Sequence, residues 1–200
     1  GTKLSITGDE EVGSIEGGGD IELGTSRLTA GGLNTDKTFS GVIAGSGAFT
    51  KSGSGTLTLS GANTYTGQTA VSGGVLSLDA TGSLSNSSDV LLESGTKLSI
   101  TGDEEVGSIE GGGDIELGTS RLTAGGLNTD KTFSGVIAGS GAFTKSGSGT
   151  LTLSGANTYT GQTEVSGGVL SLDATGSLSD SSAVALRLSL IHISEPTRLV

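Results

Sequence analysis

Residues 1–92 return as residues 95–186 with four differences: Ala70/Glu164, Asn86/Asp180, Asp89/Ala183 and Leu91/Ala185. The phrase SGSGTLTLSGANTYTGQT stands unchanged at 52–69 and again at 146–163. Near-identity on this scale marks a recent tandem duplication and points to a building unit, because arrays whose length matters are copied whole. A smaller period lies inside each unit. Apolar residues alternate in pairs at Leu4/Ile6, Ile21/Leu23, Leu57/Leu59, Leu76/Leu78 and Leu98/Ile100. Alternation places each pair on one side of a strand, with Thr, Ser or Asp on the other. With Phe39 placed between the second and third pairs, the leading residues fall at 4, 21, 39, 57, 76 and 98. The spacing predicts one strand about every nineteen residues.

Between the strands lie GDEE, EGGGD, AGGLNTD, AGSG, SGSG and SGG. These are turn chemistries, rich in Gly, Asn and Asp. No amphipathic helical stripe interrupts them. Short strands at a fixed pitch without helices predict an all-β chain wound as a parallel β-helix, a β-solenoid whose coils bury their apolar sides only by stacking. The crossover rule makes it right-handed. Four or five coils per unit at ~4.8 Å each give a rod of about 40–50 Å.

Composition agrees. Glycine supplies 38 of 200 residues and aromatics 3%, and Leu, Ile, Val and Phe make up 22 of the first 94. That is too few for one broad core but enough for a narrow one. Net charge is −11, from 21 acidic residues against ten Lys and Arg. Nucleic acid and anionic membranes reward clustered Lys and Arg, so neither is expected as a partner. The absence of cysteine excludes disulfides, thiolate zinc sites and thiol nucleophiles.

Residues 39–78, FSGVIAGSGAFTKSGSGTLTLSGANTYTGQTAVSGGVLSL, and their copy at 133–172 resemble the autotransporter-associated β-strand repeat, also called the passenger-associated transport repeat. The phrases GSGTLTLSGANTYTG and VSGGVLSL carry the resemblance. It implies a right-handed parallel β-helix in the exported passenger of a type V secreted protein of Gram-negative bacteria. Such a passenger is displayed at the cell surface or released, and is anchored by a C-terminal outer-membrane barrel that this chain does not contain. The family brings no catalytic or ligand residues to transfer.

The last stretch breaks the pattern. LSLIHISEPTR, at 188–198, holds the chain's one histidine, His192, and its one proline, Pro196. It reads as the translation of a transposon-based sequencing-library adapter left on an incompletely trimmed read. Residues 188–200 are therefore set apart as a non-native tail.

Without His192 no general base is available to a serine, and no GxSxG elbow occurs. Asp9, Glu10, Glu11, Glu16, Asp20 and Glu22 are the carboxylates that could pair for glycoside chemistry, but their repetition in unit two, in the same setting, reads as surface charge. EGGGDIELG at 16–24 has contiguous glycines and fails the spacing of calcium-binding nonapeptides. GSGAFTKS at 45–52 lacks the glycine that a phosphate loop needs before its lysine. Thr56 and Thr58 are the outward half of an alternation rather than an ice-binding face, and the Asn86 sequon is absent from unit two. Phe39, Phe49 and Tyr65, with copies Phe133, Phe143 and Tyr159, are expected in core or turn packing, with a sugar-stacking role for Tyr65 and Tyr159 as the other reading.

Three regions are expected: unit one at 1–94, unit two at 95–187, and the tail. The expected function is a non-catalytic passenger segment, a surface stalk or adhesin-like scaffold that aids secretion and folding, without cofactor or metal. The alternative is a segment of a β-helical polysaccharide-degrading enzyme. Expected partners are host or matrix glycans or proteins, the outer-membrane barrel of the parent chain, and further copies stacked end to end, because cut solenoids expose strand edges.

Overall fold

A computed structural model describes residues 1–187; the adapter-like stretch with His192 lies outside the described residues. The described chain is a solenoid of about nine turns, built from parallel strands without a helix. Each coil contributes to three faces. The first carries Lys3–Ser5, Asp20–Glu22 and Ile43–Ala44, continues through the bridge of Ala62 to Ser83, and runs on from Glu104–Val106 to Val184–Leu186. The second is a nine-stranded sheet from Glu10–Val12 to Val169–Leu172. The third is a six-stranded sheet from Lys37–Phe39 to Ile137–Ala138.

A unit supplies eleven strands and three bridging segments, at 15–17, 62–65 and 83–84. These fourteen segments are one short of five full coils, so the second unit starts one face out of step with the first. Val75–Leu78 on the third face therefore pairs with Lys97–Ile100, the copy of the first-face strand Lys3–Ser5. Asp89–Leu92 on the second face pairs with Ser108–Gly111. The first face crosses the joint through the Leu84 N–H, which donates to Glu104 Oε1 at 2.7 Å.

The core is a narrow column filled from all three faces. Leu57, Leu76, Leu98, Ile115 and Ile137 sit in register on successive coils of the third face, and all are buried. Stacking like on like leaves no coil free to slip by one residue, since a slip would turn every inward leucine to water. The aromatics are buried as expected, with Phe49 and Tyr65 tilted at 57° and 6.1 Å apart, and Phe143 and Tyr159 at 56° and 6.3 Å. Burial removes the sugar-stacking reading of Tyr65 and Tyr159.

Two expectations need correction. There are three strands per coil, not one, and Phe39 does not stack between Ile21 and Leu57. Ile21 pairs with Ile43 on the first face, while Phe39 pairs with Leu59 on the third. The additional strands lack a repeated apolar pair because Ala30, Lys51 and Thr69 take inward positions. GDEE and EGGGD also enter strands, at Glu10–Val12, Glu104–Val106 and Ser108–Gly111.

AGGLNTD does turn as predicted. Asn34 and Asn128 adopt φ of 58° and 61°, and their Oδ1 atoms accept the N–H groups of Ser54 and Ser148, each at 2.8 Å. Asparagine tolerates that left-handed conformation and supplies the acceptor that spans one coil to the next.

Candidate functional surface

Outward side chains line an open groove in each unit, at equivalent positions. In unit one it is about 680 Å³ and is lined by Glu16, Asp36, Lys37, Thr38, Thr56 and Thr58. In unit two it is about 640 Å³, with Glu110, Asp130, Lys131, Thr132, Thr150 and Thr152 in the same roles and Leu91 added. Alternation fixes the floor: Thr38 and Thr58 are register partners facing out while Phe39 and Leu59 face in. Each aspartate uses Oδ1 to accept a threonine N–H, Asp36 from Thr56 and Asp130 from Thr150, both at 2.7 Å. The two grooves lie on different faces, the third and the second, because the units are one face out of step.

The joint between units changes the second groove. Lys37 pairs with Glu16 at 2.6 Å, but Lys131 meets both Glu110 at 3.0 Å and Asp89 of the preceding unit at 2.7 Å. Ser108 Oγ donates to Asp89 Oδ1, and Gln68 Nε2 donates to Asp89 Oδ2 at 3.3 Å. Burial alone would raise the Asp89 pKa and lower that of Lys131. The hydrogen bonds outweigh it, holding Asp89 below and Lys131 above their ordinary values. At the first face Glu104 is buried, and burial lifts its carboxyl to about pKa 7 despite the Leu84 hydrogen bond, with the Glu105 charge adding to the rise. Glu10, its copy, is exposed. The expectation that duplicated carboxylates share one setting fails here, because stacking differs at the two places.

Several polar side chains that look chemically useful are committed to structure. Lys51 is buried at the end of Phe49–Lys51, and its Nζ donates to Ser52 O, Gly53 O and Gly73 O at 2.7, 2.9 and 3.0 Å. Burial pulls its pKa down, opposed by the Asp36 charge. Lys145 repeats the arrangement with Ser146, Gly147 and Gly167. This is the lysine of GSGAFTKS, and it gathers turn carbonyls instead of phosphates. Tyr65 OH, Thr69 Oγ1 and Ser88 Oγ form a buried chain with steps of 2.7 Å, ending on Gly67 O at 2.9 Å. Asn63 Oδ1 accepts the Ile43 N–H at 2.9 Å, and its Nδ2 reaches Gly61 O and Ser83 O. It thus supplies the backbone partner that a bridging segment lacks.

The carboxylates singled out from sequence are dispersed among caps and ion pairs. Asp9 accepts the Arg27 N–H at 2.8 Å, Asp20 accepts the Val42 N–H at 3.0 Å, and Glu22 pairs with Lys3 at 3.3 Å. Glu10 and Glu11 face solvent. Ser60 Oγ donates to Asp79 Oδ2 at 2.5 Å, yet that bond and the Thr81 N–H hold the Asp79 carboxyl at about pKa 2, too weak a base to activate a hydroxyl. Among the described residues no group of three or more His, Cys, Asp or Glu could hold a metal ion.

What this surface offers chemically is a long hydroxyl- and charge-bearing exterior over a rigid column. Glu104 and the Asp89–Lys131 pair were not singled out from sequence, and Lys51 was weighed there only as a phosphate-loop lysine. The alternation F-T-K, with Phe49 inward, is the one signal that would have placed Lys51 inside.

Comparison with known proteins places these features. The family model Passenger-associated-transport-repeat matches residues 49–78 and 143–172. Each match begins at the phenylalanine that opens the lysine-bearing strand, Phe49 or Phe143, and ends at the leucine closing Val75–Leu78 or Val169–Leu172. The chain is 37% identical over 179 residues to the Adhesin BmaC autotransporter of Brucella suis biovar 1 (strain 1330), an alignment covering 84% of this chain and 5% of that protein. No solved structure matches the chain significantly.

Proposed function

Since the chain is a passenger-associated-transport-repeat protein and a segment of an autotransporter passenger, we propose that it is a non-catalytic spacer, a surface stalk that carries adhesive parts of a longer passenger away from the cell. The relative is named an adhesin, and the chain spans about 5% of its length. One observation supports the spacer reading above others: the buried polar side chains Lys51, Asn63, Thr69 and Ser88, with the copies Lys145, Asn157 and Thr163, are spent on holding coil to coil. A repeated unit whose polar interior serves only stacking adds length, and length is what a stalk supplies.

A passenger is a cell-surface or secreted element; anchoring through an outer-membrane barrel of the parent chain is part of the proposal. So is an aid to secretion, for which strand-by-strand stacking offers a physical basis. Each coil that emerges finds three paired edges already formed, and docking onto them is favourable before the next arrives. Contacts with host or matrix glycans or proteins would fall on the exposed Thr-rich grooves.

The test is to place the chain between an outer-membrane barrel and an epitope, with one unit or both. The epitope should stand farther from the cell with both units, and the surface yield should be higher than with a disordered linker of equal length. Retention in the periplasm, or unchanged reach, would sink the spacer reading. Turnover of a polysaccharide by the purified chain would favour the enzyme alternative.

A further inference from the structure

We propose that the joint between the units is a sugar-recognition surface, a repeated polar groove whose selectivity is set by the variable residues Leu91 and Ala70. This role rests on the chain being a non-catalytic passenger segment whose glycan contacts fall in its Thr-lined grooves. The two copies differ in one place. Ala70, Asn86, Asp89 and Leu91 lie on two neighbouring coils in the middle of the rod, with further coils on both sides. All four face outward. Ala70 stands between buried Thr69 and Val71, Asp89 and Leu91 alternate with buried Val90 and Leu92, and Asn86 is in the exposed turn before them. Leu91 is the register partner of Ala70. Outward positions elsewhere tolerate change as readily, yet Thr29, Thr38, Thr50, Thr58 and Ser77 are identical in unit two. Drift alone would have spread over every face, so divergence held to one patch marks the part of the unit that selection has varied.

That patch borders the second groove. Leu91 forms one wall, and the polar lining from Glu110 to Thr152 has its copy in unit one. The groove therefore joins a repeated lining to a variable wall supplied by the preceding unit. The lining sets the class of ligand. Asp130 spends Oδ1 on the Thr150 N–H and has a second oxygen to accept from a hydroxyl. Asp89, Glu110 and Asp130 outnumber Lys131, so sugars bearing a carboxylate are repelled and a neutral one is favoured. A peptide strand finds no free edge there, because Asp89–Leu92 is paired to the coils on both sides. Half-buried Leu91, with Ala70 beside it, is an apolar shelf for the methyl group of a deoxy or N-acetylated sugar. Unit two has Glu164 and Ala185 at these places, a charge and a shortened side chain, so a groove bordered by them loses the preference.

The full chain is passed over surfaces bearing polymer-linked fucose or galactose of the same hand, N-acetylglucosamine or glucose, and glucuronate. Expected is at least about a fourfold preference for a methyl-bearing sugar over its matched partner, the worth of one buried methyl group. No retention on glucuronate is expected. The pair that responds, deoxy or N-acetyl, names the carrier of the methyl group. Leu91→Ala and Ala70→Glu each install the other copy's residue at an outward position, and should abolish the preference with the circular dichroism unchanged. Thr152→Val should instead weaken every sugar alike. Absence of binding, retention on glucuronate, or a preference untouched by Leu91→Ala and Ala70→Glu overturns the proposal and leaves the spacer role intact. Release of free sugar from the polymer would overturn the non-catalytic reading itself.

Discussion

Glu104 Oε1 accepts the Leu84 N–H at 2.7 Å across the joint between the units, while Glu10, the same residue of the first unit, stands exposed. Sequence identity with environmental difference makes the pair a matched experiment on what stacking does to a carboxyl.

The folded chain keeps a proton on Glu104 up to about pH 7, whereas an unfolded glutamate releases it near its ordinary value of 4.5. Between these values the folded state binds more protons, so stability falls as pH rises. The contribution is complete below about pH 4.5 and lost above about pH 7, on the order of 3 kcal/mol. Urea midpoints at pH 5 and pH 8 should differ in the wild type and draw together in Glu104→Gln, with Glu10→Gln following the wild type. Parallel profiles for Glu104→Gln and wild type would show that burial does not act on this carboxyl. Asp79 and Asp89 act in a separate, more acidic window, since their pKa values are depressed and their stabilisation disappears only as pH falls through them.

Replacing Lys51 by methionine keeps a long side chain but removes the donor to Ser52 O, Gly53 O and Gly73 O. Three turn carbonyls then lose their partner inside a packed corner, at a cost of about 2–4 kcal/mol. Thermal melting should show the loss, and the amides of the surrounding turns should exchange faster. A neutral result would mean that water replaces the ammonium.

Asp89→Ala recreates at the joint what unit two has at Ala183. It should cost about 1 kcal/mol, and a double-mutant cycle with Lys131→Met should return a coupling of ~0.5–1.5 kcal/mol, because the pair is about four-fifths buried. Zero coupling would place the stabilisation in Ser108 and Gln68.

Tyr65→Phe deletes the head of the chain through Thr69 and Ser88 and should cost about 1–2 kcal/mol. Tyr159→Phe should cost less, since its hydroxyl chain reaches Gly161 O through Ser182, which is only half-buried in the outermost coil and lies 3.0 Å from Thr163. Equal costs would mean that the network gains nothing from depth.

Leu57/Leu59 and Leu76/Leu78 made the third face legible, because a fully apolar alternation recurring at coil pitch fits stacked strands and little else. The second face was hidden. Its inward positions include Ala30, Lys51 and Thr69, which are small, charged or hydroxylated, and periodicity reads only the apolar ones. The joint was invisible for a deeper reason. Glu10 and Glu104 have the same neighbours in sequence, so only the coil beneath them tells them apart.

Because a unit falls one segment short of a whole number of coils, gaining or losing a single copy during duplication does more than change reach. Everything beyond the change swivels by one face, so a distal adhesive patch would point sideways after one added copy and return to its bearing only after three. Copy number in such an array is then a compass setting as well as a ruler, and changes of three units should leave aim untouched while single changes reset it.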